Sequence, residues 1–258
     1  MSVDLTREWG MSRIGQSHIV AIGGRSFRQT ERYGFIEPTP LLRYVLDLTG
    51  QDRPKLGLLA TATGDDADWL LKMYGAFSSW DVEVSHLTVF PMPNVADPRE
   101  WILEQDAIYV SGGSVANLAA LWRLHGLDEA FAEAWRAGVV LSGQSAGALC
   151  WHVGGNTDSF GPTLRPWAEG LALLPYSCGV HYNSDPQRRA LLQESVASGE
   201  LPEGYAADEG VALHYVGTEF IQAVSVDPEG YAYRLERDGT GVKEFRIEPR
   251  PLTSTLDE

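Results

Sequence analysis

Hydrophobic positions along the chain follow two periods, and their alternation sets out a fold. Short unbroken apolar runs, HIVAI (18–22), KLGLLAT (55–61), AIYV (107–110) and VVL (139–141), each end in small or turn-forming residues, as buried strands do. Between them lie segments whose apolar residues recur every three or four positions. Pro38 opens one (Leu41, Leu42, Val45, Leu46, Leu48) and Gly50 closes it, which predicts a helix with proline in front and glycine behind. Trp69, Leu70, Met73, Tyr74 and Phe77 make a second such face, with Asp65 or Asp66 placed to cap it. Val82 to Phe90 reads as a further strand and a short helix is expected from Pro98. Two helical pieces then break at His125-Gly126, with Asp128 placed to cap the second.

Strand and helix alternating five times predict an α/β fold with a mostly parallel central sheet covered on both faces. The ligand site of such a sheet lies at the carboxyl ends of its strands. Three loops fall there, Gly23-Gly24, Ser111 to Ser114 and Ser142 to Gly147. Beyond Gly161 the pattern changes to strand-like CGVHYN, a helix through Arg188 to Val196, and strand-like Ala206 to Tyr215, Phe220 to Val226 and Tyr231 to Leu235. These read as a small antiparallel C-terminal extension of the same domain. The expected layout is a flexible arm over 1–15, one domain over 16–238, and a tail over 239–258 with at most one more strand.

Composition narrows the function. The chain has 258 residues, 44% hydrophobic and 21% charged, enough for a sizeable core. Its apolar runs are far shorter than the ~20 residues of a membrane span, and MSVDLTREWG lacks the apolar stretch of a secretory signal, so a soluble cytoplasmic protein with no membrane partner is expected. Cys150 and Cys178 read as buried reduced thiols, and no C-x-x-C or histidine cluster marks a metal site. A formal charge of −15 repels phosphate backbones, which argues against nucleic acid as a partner.

The chemistry centres on VVLSGQSAGALCW (139–151), a strand, a tight turn and a helix-compatible segment. Gly143, Ser145 and Gly147 fit G-x-S-x-G, the elbow in which flanking glycines let a serine hydroxyl stand clear at a strand's end. Ser145 is the candidate nucleophile. The N–H of Ala146 and one from Gly112-Gly113 are the natural oxyanion donors. A serine needs a base, usually a histidine oriented by a carboxylate. Among the six histidines, His18, His86, His125 and His152 read as structural or solvent-facing. His181 ends a strand in turn residues after the elbow and is the candidate base, with His214 its rival. Asp158, in a loop, and Glu209, at a strand start, are the carboxylates to consider, and chain order does not decide between them.

Taken together, VSGGSVANL, LSGQSAGALCW, NTDSFGP, GVHYN and ADEGVAL, spread in this order over Tyr109 to Leu213, resemble the peptidase E family. The resemblance implies a three-layer α/β sandwich and a serine-type aspartyl dipeptidase needing no cofactor. It implies Ser145 as nucleophile, His181 as base, and Gly113 with Ala146 as oxyanion donors. Asp158 and Glu209 match the two acids proposed for the family's third member, and a rigid strand start favours Glu209. The chain departs from the family at Ser114-Val115 after the glycine pair and in a short loop after the His181 strand. Arg188 or Arg189 is then expected to supply the cation for an acidic substrate. A small peptide is the partner this implies, with a homodimer left open. The alternatives are a cyanophycinase-like hydrolase of β-aspartyl peptides and a non-catalytic small-molecule-binding domain of the same fold. An amidotransferase would place cysteine at the elbow, where Cys150 lies five residues too far along.

Overall fold

The computed structural model describes residues 16–253, so the N-terminal arm expected over 1–15 lies outside the described residues, as do 254–258. The first half follows the apolar pattern closely. Strands β1 (His18–Ile22), β4 (Lys55–Leu59), β5 (Glu83–Leu87), β6 (Ala107–Val110) and β7 (Val140–Gln144) run parallel in the order β1-β7-β6-β4-β5. Between β1 and β4 a short hairpin, β2 (Phe27–Gln29) and β3 (Ile36–Pro38), precedes α1 (Pro40–Asp47). The helix therefore starts at Pro40 and not at Pro38. Either proline suits a first turn, but Pro38 pairs with Phe27 in the hairpin and Thr39 takes the cap position.

Helix α2 (Ala67–Phe77) is capped by Asp66, whose side chain accepts from Trp69 N at 2.7 Å. Helices α3 (Pro98–Leu103), α4 (Val115–Leu124) and α5 (Leu127–Arg136) follow. Gly126, at φ 68°, holds the cap of α5, so Asp128 sits inside the first turn and does not cap it. There its charge still favours the helix's positive end.

Because strand side chains alternate faces, β1 feeds two cores. Ile19 and Ala21 join the cluster of Trp122, Phe131, Leu141 and Trp151, while Val20 and Ile22 join Leu41, Leu42, Leu58, Met73 and Phe77 beneath α1 and α2. The mixed α/β sandwich is thus present, with helices on one face of the main sheet and helices plus a second sheet on the other.

The second half differs in detail from the sequence pattern. The helix-compatible segment ALCW (148–151) only begins a helix: the observed one is a single turn, α6 (Ala146–Leu149), and the chain soon re-enters a strand in β8 (His152–Thr157). His152 therefore opens a buried strand. The antiparallel extension is present in two parts. One part widens the main sheet, where β12 (Val211–Val216) and β13 (Glu219–Ser225) are antiparallel neighbours beside β1, with β16 (Arg250–Pro251) at the edge.

The other part is a six-stranded sheet in the order β15-β14-β11-β10-β8-β9. It is built from β9 (Arg165–Trp167), β10 (Leu174–Gly179), β11 (Gly204–Ala207), β14 (Ala232–Asp238), β15 (Gly241–Ile247) and β8. Its centre, β8-β10-β11, is parallel, and only its flanks are antiparallel. Residues 241–247, read from the pattern as the start of a tail, pair along their length with β14. Helix α7 (Pro186–Ser198) covers this sheet through Leu192 and Val196. The run Ala206 to Tyr215 is two strands in two different sheets, and the turn between them holds Glu209.

Candidate active site

Ser145 follows β7 with φ 54° and ψ −113°, a conformation that non-glycine residues adopt only under constraint. The constraint is visible around it. A side chain on Gly147 would start 2.2 Å from the Val110 carbonyl oxygen, and one on Gly143 2.6 Å from the same atom, so only glycine lets β6 and the turn close on each other. Gly112 packs against the serine, since a Cβ there would lie 3.2 Å from Ser145 Cβ. Gly113, at φ 138°, is wedged against the Ala62 carbonyl. Ala146 is the first residue of α6, and a helix's first N–H groups have no partner within the helix.

The end of β1 ties the separate pieces of the site together. Three successive carbonyls accept backbone N–H groups: Ile22 from Ser145 at 3.1 Å, Gly23 from His181 at 3.1 Å, and Gly24 from Gly210 at 3.2 Å. Thus the elbow, the His181 turn and the Glu209 turn are fixed to one stretch of backbone. Gln144 adds a further brace, its side-chain oxygen accepting from Ser26 N at 2.9 Å.

His181 lies past the end of β10, at φ 52°, and its Nδ1 lies 2.5 Å from Glu209 Oε1. Both side chains are mostly buried, 24% and 18% exposed. The hydrogen bond from His181 holds the Glu209 carboxyl below its usual range; burial opposes this, and the charges of His181, Arg25 and Arg188 assist it. An ionised carboxylate only accepts, so Nδ1 carries the proton of this bond and Nε2 of the neutral ring is left with a lone pair. Asn183 Oδ1 accepts from Glu209 N at 3.0 Å and locks the two turns to each other.

The other sequence candidates are placed elsewhere. Asp158 is 57% exposed and its Oδ2 accepts from Arg188 Nη2 at 3.3 Å, so the carboxylate that meets His181 is Glu209. Arg188 itself is 16% exposed and acts electrostatically on Glu209 as well. Arg189 is engaged by Glu244 and lies over the rings of Tyr182 and Tyr233. His214 is buried in β12, with Nε2 3.0 Å from His18 Nδ1 and Nδ1 2.6 Å from the Tyr44 hydroxyl, which removes it as a rival base. His152 is buried, its Nδ1 donating to the Ala148 carbonyl at 2.8 Å. Burial pushes its pKa down to about 4. Cys150 and Cys178 are free and buried, and burial raises both thiols.

Arg25 and Asn183 are neighbours of the site that the sequence pattern did not single out, and Gly24, placed by the pattern in a loop at the strands' carboxyl ends, was given no role of its own. A Cβ on Gly24 would start 2.3 Å from Glu209 Oε2 and 2.9 Å from His181 Nδ1. The position of Gly24 just past a buried strand's end was the one available signal. Among the described residues no group of three or more His, Cys, Asp and Glu gathers as a metal site, and no helix is long and apolar enough to cross a membrane.

The profile of Peptidase family S51 matches residues 20–223. The chain is 37% identical over 219 residues to the uncharacterized peptidase YgaJ of Bacillus subtilis (strain 168), a match covering 84% of this chain and 91% of that protein. Peptidase E of Streptomyces coelicolor is 28% identical over 203 residues, covering 75% of this chain and 79% of the relative. Among solved structures, a peptidase from an acI-B1 Actinobacterium shares the fold with a TM-score of 0.65 at 18% identity, covering 91% of this chain and 96% of that one.

Proposed function

The chain belongs to peptidase family S51, and from that premise we propose that it is a serine-type peptidase that cuts dipeptides or short peptides through an acyl-enzyme. In this reading His181 Nε2 takes the proton from Ser145 Oγ as the oxygen attacks the scissile carbonyl. Glu209 holds the ring in the tautomer that leaves Nε2 free and stabilises the imidazolium that forms. The amides of Gly113 and Ala146 receive the oxyanion. The protonated ring then delivers its proton to the leaving amine, and water enters by the same base to release the acyl group.

The observation that carries this reading is the 2.5 Å bond from His181 to Glu209, held beside the Ser145 elbow by consecutive carbonyls of one strand end. Arg188 is the proposed contact for an acidic substrate side chain. A chain of charge −15 repels acidic peptides at a distance, so binding one needs a cation at the site, and Arg188 is a largely buried guanidinium beside Glu209. A preference for N-terminal aspartate follows from that contact.

The test is hydrolysis of a dipeptide panel with Asp-X, β-Asp-X and neutral members, by the wild-type protein and Ser145→Ala, read by mass spectrometry. Turnover of Asp-X that disappears in the variant supports the whole reading. Serine-dependent turnover of β-Asp-X or neutral members alone keeps the mechanism and removes the substrate assignment. No serine-dependent turnover of any member overturns it.

A further inference from the structure

Glu209 has two carboxylate oxygens, and the one that His181 does not use is also engaged. Arg25 Nε forms an ion pair with Glu209 Oε2 at 3.6 Å, while Arg25 Nη1 donates to Asp227 Oδ2 at 3.0 Å. Asp227 is itself immobilised. Its Oδ1 accepts from Glu229 N at 3.0 Å, its N–H donates to Ser225 Oγ at 2.9 Å, and that hydroxyl donates to the Asp227 carbonyl at 2.7 Å. A Cβ on Gly210 would lie 3.0 Å from Asp227 Cβ, so this turn packs directly on the Glu209 turn.

Arg25 follows Gly24 with φ 60°, a backbone state that costs any residue with a Cβ and that the surrounding contacts must hold. Thr39 Oγ1 donates to the Arg25 carbonyl at 3.1 Å and helps to hold it there. The Arg25 side chain is 59% exposed, so the ion pair is screened and adds little to folding stability. What it does constrain is the rotation of a carboxylate whose other oxygen must stay in line with an imidazole.

We propose that Arg25 is a positioning residue for Glu209 and that Asp227 in turn fixes Arg25, making His181 the inner end of a chain Asp227–Arg25–Glu209–His181. The inference rests on the reading of His181 as the base. It assigns Arg25 to catalysis through another residue and not to substrate binding, although Arg25 is an accessible cation. The groups facing Glu209 are His181, Arg25 and Arg188, with Asp227 behind Arg25. Removing Arg25 takes away the ion-pair partner of Oε2 and leaves the rotation of the carboxylate less constrained.

The experiment uses Arg25→Ala, Asp227→Ala and the double variant in the full chain, each first shown by circular dichroism to melt as the wild type does. Two readouts are taken: kcat and KM on acidic and neutral substrates, and the low-field proton resonance of the His181–Glu209 bond. Arg25→Ala is expected to lower kcat about 10-fold with KM changed less than about two-fold on either substrate class. The resonance is expected to move upfield or to broaden through exchange. The double variant is expected to match Arg25→Ala within about two-fold, because Asp227 acts only through Arg25.

A rise in KM confined to acidic substrates, with kcat kept, makes Arg25 a substrate ligand and overturns the proposal. So does an unchanged resonance with unchanged kcat, or a double variant in which the losses multiply. The resonance needs no substrate, so it tests the chain of contacts even if the peptidase reading fails its own assay.

Discussion

The Ser145 elbow and the His181–Glu209 pair reach the same rim of the sheet by opposite routes. The elbow is contiguous: β7, Ser145 and α6 follow each other directly, and its glycines make room for the neighbouring strand β6. His181 and Glu209 stand 28 residues apart, in turns after β10 and β11, which pair as parallel neighbours in the second sheet, and Gly23 and Gly24 at the end of β1 receive both turns. The elbow's geometry is therefore carried by one contiguous peptide packed on β6, whereas the pair's geometry is carried by two turns that follow paired strands of the second sheet and dock on the end of β1. Damage to the first is expected to show as lost folding, and damage to the second as lost chemistry with the fold intact.

The largest effect should come from the acid. Glu209→Gln keeps the shape but replaces an acceptor-only carboxylate by an amide whose NH2 can donate to Nδ1 and select the wrong tautomer, and kcat should fall about 10³-fold. Asp158→Asn, at a half-exposed carboxylate bonded to Arg188, should change kcat less than about three-fold. Comparable losses in both would dissolve the distinction between the two carboxylates, and steady-state kinetics on one dipeptide suffices to see it.

Two glycines test the comparison between regions. On Gly147 a Cβ meets the Val110 carbonyl oxygen at 2.2 Å, which is backbone and cannot step aside, so Gly147→Ala should cost about 3 kcal/mol of stability in a denaturant titration. On Gly24 a Cβ meets the Glu209 carboxylate at 2.3 Å and the His181 ring at 2.9 Å, both side chains that can move. Gly24→Ala should therefore lower kcat about 30-fold through misplacement, with stability changed by about 1 kcal/mol or less. A well-folded Gly147→Ala, or an unfolded Gly24→Ala, would break the contrast.

A separate effect, outside the site, is in pH-dependent stability. His152 is held neutral by burial, with its pKa pushed from the ordinary 6.5 to about 4. Folding thus disfavours proton uptake, so its contribution is complete above about pH 6.5 and is lost as pH falls toward 4, about 3 kcal/mol in all. His152→Gln should start less stable at pH 7 and lose less between pH 7 and pH 5. Equal slopes in thermal melts of the two proteins would remove His152 as the cause.

What could be read in the sequence follows the same division. Strands β1, β4, β6 and β7 were legible because each is a buried apolar run ended by small residues, and G-x-S-x-G was legible because its physics is contained in five residues. The second sheet was misjudged where tertiary pairing overrides local pattern. ALCW favours a helix, yet the chain leaves it after one turn because β8 pairs with β10. Ala206 to Tyr215 looked like one strand, since nothing in its pattern tells that its halves belong to different sheets. Asp128 looked like a cap because glycine at φ 68° is as serviceable there and leaves no side-chain signature. The contact between His181 and Glu209 depends on the pairing of β10 with β11 and on the docking of their turns at the end of β1, and neither it nor the presence of Arg25 beside the pair has a local trace.

The most direct test of the account's central claim, that the second-sheet turn activates the main-sheet serine, is the rate and position of labelling by a fluorophosphonate, located by peptide mass mapping. The account predicts a single adduct on Ser145 that forms about 10³-fold more slowly in His181→Ala. An adduct elsewhere, no adduct, or labelling of Ser145 at the same rate without His181 would contradict it.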